Sequence, residues 1–208
     1  MAEDTLYISV EKDAIAEITE KKSRFIAHIR HVETEEAAME FVDKIRKQHF
    51  SARHNVYAYI LSGGIKKYTD DGEPSKTAGL PILEMLEKQG ITDVVCVVTR
   101  YFGGTLLGTG GLVRAYTDSA KEALNASGIV TMTKCDLLEI NIPYSALGSM
   151  EYILKNHKAI CEDKNYAENI SLTVCIQTSL KEGLIDNIRN EFANTVPVLL
   201  KGQVYRNL

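Results

Sequence analysis

The sequence predicts an α+β protein with two domains, residues 1–134 and 135–208. Segments of alternating polar and apolar residues, which are typical of strands, recur between segments in which apolar residues repeat every three to four positions, which is typical of helices. The unbroken apolar run at residues 94–98 predicts a strand that is covered on both faces. After residue 134 the pattern runs strand, helix, strand, strand, helix, strand, which is the order of a ferredoxin-like domain.

Local signals predict the elements of the first domain. Thr34 is a predicted N-cap, with Glu35 and Glu36 in the first turn of a helix, where the helix dipole favours negative charge. Pro81 suits the first position of a second helix, and Gly90 ends that helix. Strands are predicted over residues 5–10, 14–18, 24–29, 56–61 and 65–68, with a polar turn at 20–23 and a hairpin turn at 62–64.

A glycine-rich loop follows the strand that begins at residue 94. Gly103 and Gly104 turn the chain, and further glycines lead into a third helix over about residues 110–127, which Gly128 ends. Backbone N–H groups at such a loop and helix start are free to hold an anion. The same glycines can instead serve a tight turn and close packing of the helix on the sheet.

The second domain is predicted to begin after a linker at residues 129–134. Ser145 is the predicted N-cap of its first helix, and Ser-Leu-Lys-Glu at 179–182 forms a predicted capping box at the start of its second. Its strands are predicted over residues 137–142, 159–166, 170–178 and 197–205.

The composition is that of an ordinary globular protein, with 45% hydrophobic and 25% charged residues. Because no apolar run approaches the roughly 20 residues of a transmembrane helix and the acidic N-terminus lacks the features of a signal peptide, we expect a cytoplasmic protein without membrane association. The net charge of −4 argues against non-specific coating of nucleic acid. The four cysteines form no C-x-x-C pair, so we expect reduced thiols and no zinc site.

Polar side chains flank the central strand and the glycine loop. Arg100, Tyr101 and Phe102 end the strand, and basic residues next to aromatic ones suit nucleic acid, although Tyr101 and Phe102 can equally contact protein. His54 lies between Arg53 and Asn55 at the start of another strand. It is a candidate hydrogen-bond donor to a phosphate or a candidate base, or else a turn residue.

A turn-forming acidic segment supplies the other candidates. Asp70, Asp71 and Glu73 have the side chains of a Mg²⁺ ligand or a general acid and base. Asp-Asp-Gly-Glu-Pro is also typical of a structured turn, which we favour, and in such a turn these acids can orient Arg53 or Arg100 by ion pairs. No nucleophile motif and no cofactor-binding motif is present, so no cofactor, catalytic residue or metal ligand is predicted. The predicted ligand- and anion-binding residues are Arg53, His54, Asn55, Asp70, Asp71, Glu73, Ser75, Lys76, Thr77, Arg100, Tyr101, Phe102, Gly103, Gly104, Gly108, Thr109, Gly110, Gly111 and Arg114.

These segments together resemble the YigZ/IMPACT family. The resemblance rests on RHN at 53–55, DDGEPS at 70–75, TAG at 77–79 and RYFGG…LGTGGLVRAY at 100–116, in the order found in that family. The chain departs from the family pattern at two positions, with Lys76 where the family usually has glycine and Leu80 where it usually has lysine or arginine.

The resemblance implies a first domain similar to ribosomal protein S5 domain 2 and a second domain similar to a C-terminal domain of ribosomal translocation factors. Eukaryotic IMPACT proteins regulate translation by interfering with the activation of a translation-controlling kinase, through partner binding. We therefore expect a non-catalytic, translation-associated regulator that binds RNA, the ribosome or a translation-control protein through the glycine-loop site. The alternative is an enzyme that acts on a phosphorylated small molecule with an Asp or Glu base or a magnesium ion.

Overall fold

In a computed structural model of the chain, which describes residues 6–208, two compact units are present. The first comprises residues 7–131, and the second comprises residues 132–208 with Leu6. The described strands are β1 (Leu6–Val10), β2 (Ala14–Glu20), β3 (Ser23–His31), β4 (His54–Ile60), β5 (Lys66–Thr69), β6 (Val94–Tyr101), β7 (Ile129–Ile142), β8 (Ile160–Tyr166), β9 (Ile170–Gln177) and β10 (Val198–Arg206). The described α-helices are α1 (Glu35–Gln48), α2 (Gly79–Lys88), α3 (Thr109–Ser127), α4 (Leu147–Asn156) and α5 (Lys181–Glu191).

The predicted α+β class is confirmed. Thr5, which belongs to the first predicted strand, lies outside the described residues. Within residues 6–208, no helix combines the length and the apolar character needed to cross a membrane. The proposed domain names and the boundary between residues 134 and 135 stay predictions.

The first unit is built on an antiparallel sheet with the strand order β2-β3-β6-β4-β5. On β6, Val94, Cys96 and Val98 pack into the core formed with α2 and α3, whereas Val95 and Val97 pack into the core formed with α1. All five side chains are fully buried. The sheet therefore has helices on both faces at β6, and the strand predicted from the unbroken apolar run is confirmed.

Helix boundaries in this unit largely follow their local signals. The Thr34 hydroxyl accepts a hydrogen bond from the Ala37 N–H at 3.1 Å, so the predicted N-cap of α1 is confirmed. Gly128 is the C-cap of α3, as predicted. The start of α2 was predicted at Pro81, but the helix begins two residues earlier, at Gly79.

The second unit carries its strands in the order β10-β7-β9-β8, all antiparallel. Helices α4 and α5 pack on one face of these strands around a common apolar core. The predicted element order, strand–helix–strand–strand–helix–strand, is confirmed by β7, α4, β8, β9, α5 and β10. The predicted linker at 129–134 is wrong, because β7 already begins at Ile129, where the β-branched Ile129, Val130 and Thr131 favour extended backbone.

Both predicted helix caps in the second unit are wrong. Ser145 lies inside a short 3₁₀ turn, Tyr144–Ala146, and α4 follows with Ala146 as its N-cap. The capping-box segment likewise contributes to a 3₁₀ turn, Thr178–Leu180, and α5 begins at Lys181 without a side-chain cap. Residues that favour caps also favour such turns, so the same side chains fit both structures.

Candidate functional site

A cavity of about 430 Å³ in the first unit brings the three predicted polar segments together. The start of β4, the loop before α2, the end of β6 and the loop before α3 all contribute to its walls. Its lining residues are Arg53, His54, Glu73, Pro74, Arg100, Phe102, Leu106, Leu107, Gly108, Thr109 and Leu112. The cavity is therefore apolar on the side of the leucines and Phe102, and polar where these segments converge.

A buried ion pair joins two of these walls. The Arg100 Nη1–H group donates to Glu73 Oε1 at 2.6 Å, and the side chains are only 7% and 4% exposed. The Tyr116 hydroxyl, on α3, donates to the same oxygen at 2.8 Å. Burial and the adjacent Glu73 carboxylate raise the pKa of Tyr116 well above its ordinary value, so this hydroxyl keeps its proton. Arg100 thus lies buried and paired with an acid of the 70–73 segment, as the structured-loop interpretation of that segment predicts.

The Arg100 guanidinium is also held by aromatic rings. It lies 5.4 Å from the centroid of Phe25 and 5.5 Å from that of Phe102, distances typical of cation–π contacts. Its Nη2 donates a long hydrogen bond of 3.5 Å to Ser23 Oγ, whereas the buried Nε has no partner among the described residues. These contacts fix the guanidinium at the cavity wall with one N–H group unsatisfied.

Asp70 organises the acidic loop. Its Oδ1 accepts hydrogen bonds from the N–H groups of Ala78, at 3.1 Å, and Gly79, at 2.9 Å. Its Oδ2 accepts from the Lys76 N–H at 2.7 Å. Because these amides lie at the start of α2, Asp70 supplies the cap that Ala78 lacks, which explains why the helix begins before Pro81.

Asp71 ties the same loop to the start of β4. Its Oδ2 accepts the Asn55 N–H at 2.6 Å, and its carbonyl oxygen lies 2.8 Å from His54 Nδ1. A carbonyl oxygen only accepts, so His54 Nδ1 donates a proton to it. Asn55 itself is buried, where its Oδ1 accepts from the Thr99 hydroxyl at 2.7 Å, so its side chain supports the strand pair rather than the cavity.

The remaining loop candidates lie around this framework. Thr77 is buried and donates to the Pro74 carbonyl oxygen at 2.6 Å, whereas Ser75 and Lys76 are exposed. Lys76 has a φ of 63°, in the left-handed region that favours glycine, the residue usual in the related family at this position. Leu80 packs against the apolar core, so this chain has no basic side chain there.

The N-terminus of α3 opens into the cavity. Gly108 is its N-cap, with a φ of 73° that glycine adopts without strain, and no side chain caps the helix. Both Gly108 and Thr109 line the cavity. The first turn of a helix has N–H groups without intrahelical partners, so these amides and the helix dipole suit an anion.

Gly103 is required by close packing. Its N–H donates to Ser23 Oγ at 3.1 Å, and an added Cβ would overlap the Lys22 backbone. Gly103 therefore docks the glycine loop onto the turn between β2 and β3. Gly104 and Gly110 are open to solvent on their Cβ side, and Gly111 packs against Leu107.

Tyr101 lies on the opposite face of the sheet from the cavity. Successive strand residues point to opposite faces, and the Tyr101 hydroxyl lies 3.0 Å from His49 Nδ1, next to the C-terminus of α1. His28 is the neighbour of His49 there, with ring centroids 5.3 Å apart. Burial, with a contribution from His49, lowers the pKa of His28 to about 4. Tyr101 is thus a packing residue beside His49 and His28.

Arg114 also lies outside the cavity. Its exposed side chain lines a separate small depression with Ile18, Glu20 and Asp118, between the end of β2 and the first turns of α3. The sequence placed Arg114 on the first turns of the helix correctly, but the helix presents it toward β2.

The contacts of the acidic loop bear on the enzyme alternative. Asp70 and Asp71 accept backbone N–H groups, and Glu73 pairs with Arg100, so each carboxylate has a structural role in positioning a loop or a cation. In the part of the chain that the structure describes, no group of three or more His, Cys, Asp or Glu side chains suits a metal ion. These contacts give no support to a base or a magnesium ligand in this loop.

Several lining residues were not predicted as site residues. Pro74, Leu106, Leu107 and Leu112 form much of the apolar wall. Leu112 lies on the inward face of the predicted third helix, and helical spacing from the glycine loop was the signal that could have placed it beside the cavity. Leu106 carried no such signal, because it lies in irregular backbone.

Comparison with known proteins gives consistent similarities. The family model described as the Impact N-terminal domain matches residues 21–124. The chain is 42% identical over 173 residues to the IMPACT family member YvyE of Bacillus subtilis, covering 82% of this chain and 80% of that protein. It is 36% identical over 162 residues to the IMPACT family member YigZ of Escherichia coli, covering 75% and 78%. A solved structure titled as a hypothetical protein matches with a TM-score of 0.64 and 29% identity, covering 93% of this chain and 96% of that one.

Proposed function

The chain belongs to the IMPACT family, and on that premise we propose that it is a non-catalytic, translation-associated protein that binds single-stranded RNA in the cavity of its first unit. The observation that carries the proposal is the uncapped N-terminus of α3, which opens into the cavity beside the exposed Phe102 and the exposed Arg53. An anion site next to an aromatic surface suits a nucleotide, because the anion site can hold the phosphate and the aromatic ring can stack on the base.

The phosphate is proposed to lie at the polar end of the cavity. Arg53 is exposed and forms no ion pair with any residue that the structure describes, so its guanidinium is available to a ligand. The amides at the start of α3 and the Thr109 hydroxyl supply neutral donors at the same end. The ion pair of Arg100 with Glu73 is formally neutral, and it leaves the positive charge of Arg53 uncompensated.

The base is proposed to lie on the apolar wall. Phe102 is 50% exposed although it lines the cavity, and the Arg100 guanidinium lies behind it. Base–aromatic stacking contributes about 1–3 kcal/mol per base and tolerates any sequence, as expected of a protein that binds RNA without strong base preference. Leu107 and Leu112 would border the base on the side of α3.

The second unit is proposed to be a docking module. Its strand order and the helices on one face match a ferredoxin-like domain, and the first unit is proposed to be similar to ribosomal protein S5 domain 2. The resemblance of the second unit to a translocation-factor domain favours the ribosome as the source of the RNA. A ribosome-associated protein of this kind would work in the cytoplasm.

Arg53→Ala tests the phosphate contact. Binding of a labelled single-stranded RNA is followed by fluorescence anisotropy across a salt titration. The variant is expected to bind several-fold more weakly. The slope of log K against log salt, which is negative, is expected to become smaller in magnitude by about 0.7, the value for one phosphate on a single strand. Lys88→Ala, which removes an exposed cation on α2 outside the cavity, is the matched control and should bind like the parent. Identical titrations for the parent and the Arg53 variant would contradict the assignment.

A protein partner is the second candidate, because Leu106 is 83% exposed beside Phe102 and such apolar side chains also suit protein contacts. Phe102→Tyr and Phe102→Leu separate the candidates. RNA stacking requires an aromatic ring, so the tyrosine variant should keep the affinity and the leucine variant should lose about tenfold. Retention of RNA binding by the leucine variant, together with loss of a nuclease-resistant partner in Leu106→Ser, would instead favour protein docking.

A further inference from the structure

The turn between β2 and β3 has an unusual sequence for its backbone. Glu20 pairs with Ser23, so only Lys21 and Lys22 form the turn. Both have positive φ, 44° and 66°, as the type I′ hairpin turn requires. Asn-Gly is the sequence that such turns favour, because side chains other than those of Gly, Asn and Asp rarely adopt this region. Two lysines thus occupy positions where the backbone alone would favour other residues.

This turn lies directly against the rim of the cavity. Gly103 packs on the Lys22 backbone so closely that no Cβ fits between them. The Ser23 hydroxyl accepts the Gly103 N–H at 3.1 Å and the longer bond from Arg100 at 3.5 Å. Since Arg100 and Phe102 line the cavity, the turn is fixed next to the proposed base-binding wall.

The turn and the adjoining helix present cations that lack ionic partners. Lys21, Lys22 and Arg114 are exposed, and none forms an ion pair with the residues described. Arg114 lies in the depression beside Glu20, the residue that precedes the turn. The acidic groups nearby are Glu20 and Asp118, and Asp118 already lies 4.0 Å from the Lys121 ammonium. Lys21, Lys22 and Arg114 are called the hairpin patch below.

We propose that the hairpin patch is a second phosphate-binding surface for the same single-stranded RNA. The proposal rests on the proposed function, because it extends the path of the RNA backbone from the cavity past Gly103 to the turn. The positive φ values and the docking on Gly103 hold both lysines on a short, fixed turn, which limits the backbone freedom lost on binding. The patch makes the contact electrostatic and independent of base sequence.

The double variant Lys21→Asn/Lys22→Gly removes both charges and keeps the backbone. Asn and Gly accept positive φ, so the variant is expected to fold and its unfolding midpoint to equal or exceed that of the parent. Its affinity for single-stranded RNA is expected to fall at least about fivefold at low salt, with a salt slope lower by about 1.4, the value for two phosphates. The matched control Lys12→Gln/Lys88→Gln removes two exposed lysines away from the turn and should bind like the parent.

Glu20→Gln provides a test in the opposite direction. Removing this carboxylate beside the patch should strengthen binding about twofold without changing the turn, since Glu20 lies in the flanking strand. If the parent binds RNA and the Asn-Gly variant binds with the same affinity and salt slope, the hairpin patch is excluded while the cavity proposal stands. If the parent fails to bind single-stranded RNA at any salt concentration, both proposals fall.

Discussion

Replacing Arg100 with methionine breaks the buried ion pair and keeps most of the side-chain volume. Because Glu73 is only 4% exposed, the variant would leave its carboxylate buried with only the Tyr116 hydroxyl as a partner. Removing one partner of such a pair typically costs about 3–5 kcal/mol, most of it the desolvation of the remaining charge. We expect Arg100→Met to lower the free energy of unfolding by that amount. In Arg100→Met/Glu73→Gln no buried charge remains, so about 2 kcal/mol or more should be regained.

Urea unfolding followed by circular dichroism at pH 7 measures both variants. The matched control is Arg24→Met, since Arg24 pairs with Glu17 at 2.7 Å in the same sheet with side chains 52% and 41% exposed. Arg24→Met is expected to leave the free energy of unfolding nearly unchanged, because water already solvates both charges of this surface pair. Equal losses for Arg100→Met and Arg24→Met, or an additive double variant, would refute the argument that burial makes the Arg100–Glu73 pair costly to break.

Three further outcomes are expected. Lowering the pH from 6.5 toward 4 should destabilise the protein, because burial lowers the pKa of His28 to about 4 and the unfolded chain therefore takes up a proton that the folded unit resists. Up to about 3 kcal/mol depends on this group, and His28→Gln should flatten the pH dependence of urea unfolding. Gly103→Ala should cost more than about 2 kcal/mol, because its Cβ would overlap the Lys22 backbone, whereas Gly110→Ala, whose Cβ meets no described atom within 4 Å, should be neutral or stabilising in thermal unfolding. Asp70→Ala should lower the free energy of unfolding by about 2 kcal/mol or more and speed hydrogen exchange at the start of α2, because the N–H groups that donate to Asp70 lose their acceptor.

The fold was predictable where one local signal decides an element. The apolar run at 94–98 fits a strand that is covered on both faces, and the Thr34 cap with its acidic first turn marks the start of α1. The prediction failed where one residue type suits two structures. Ser145 fits a helix cap and a 3₁₀ turn equally well. The residues from Ile129 follow the glycine that ends α3, so they were interpreted as a linker although their β-branched side chains favour a strand.

The segments that line the cavity were predictable, but not which of their side chains do so, and ligand binding there stays a prediction. The segments at 53–55, 70–75 and 100–109 each contribute to the cavity, as predicted from their polar residues. Because both faces of this strand are apolar, however, its sequence does not reveal which face borders the cavity, so Arg100 and Tyr101 were both assigned to the site although a strand directs them to opposite faces. The acids of the 70–73 segment were expected to pair with Arg53 or Arg100, but no local pattern specifies that Glu73, 27 residues away along the chain, is the partner of Arg100.

The buried pair decides which variants can report on a ligand. Arg100 and Glu73 join β6 to the acidic loop, and Tyr116 adds α3 to the same contact, so any change there moves several cavity walls at once. A loss of binding in an Arg100 variant would therefore follow from lost structure as readily as from a lost contact. Arg53 and the hairpin patch are exposed and lack ionic partners among the described residues, so their charges are the ones that a ligand can neutralise and the fold does not require. If variants of these residues bind RNA more weakly but unfold at the same denaturant concentration as the parent, the residues contact the ligand and do not merely stabilise the fold.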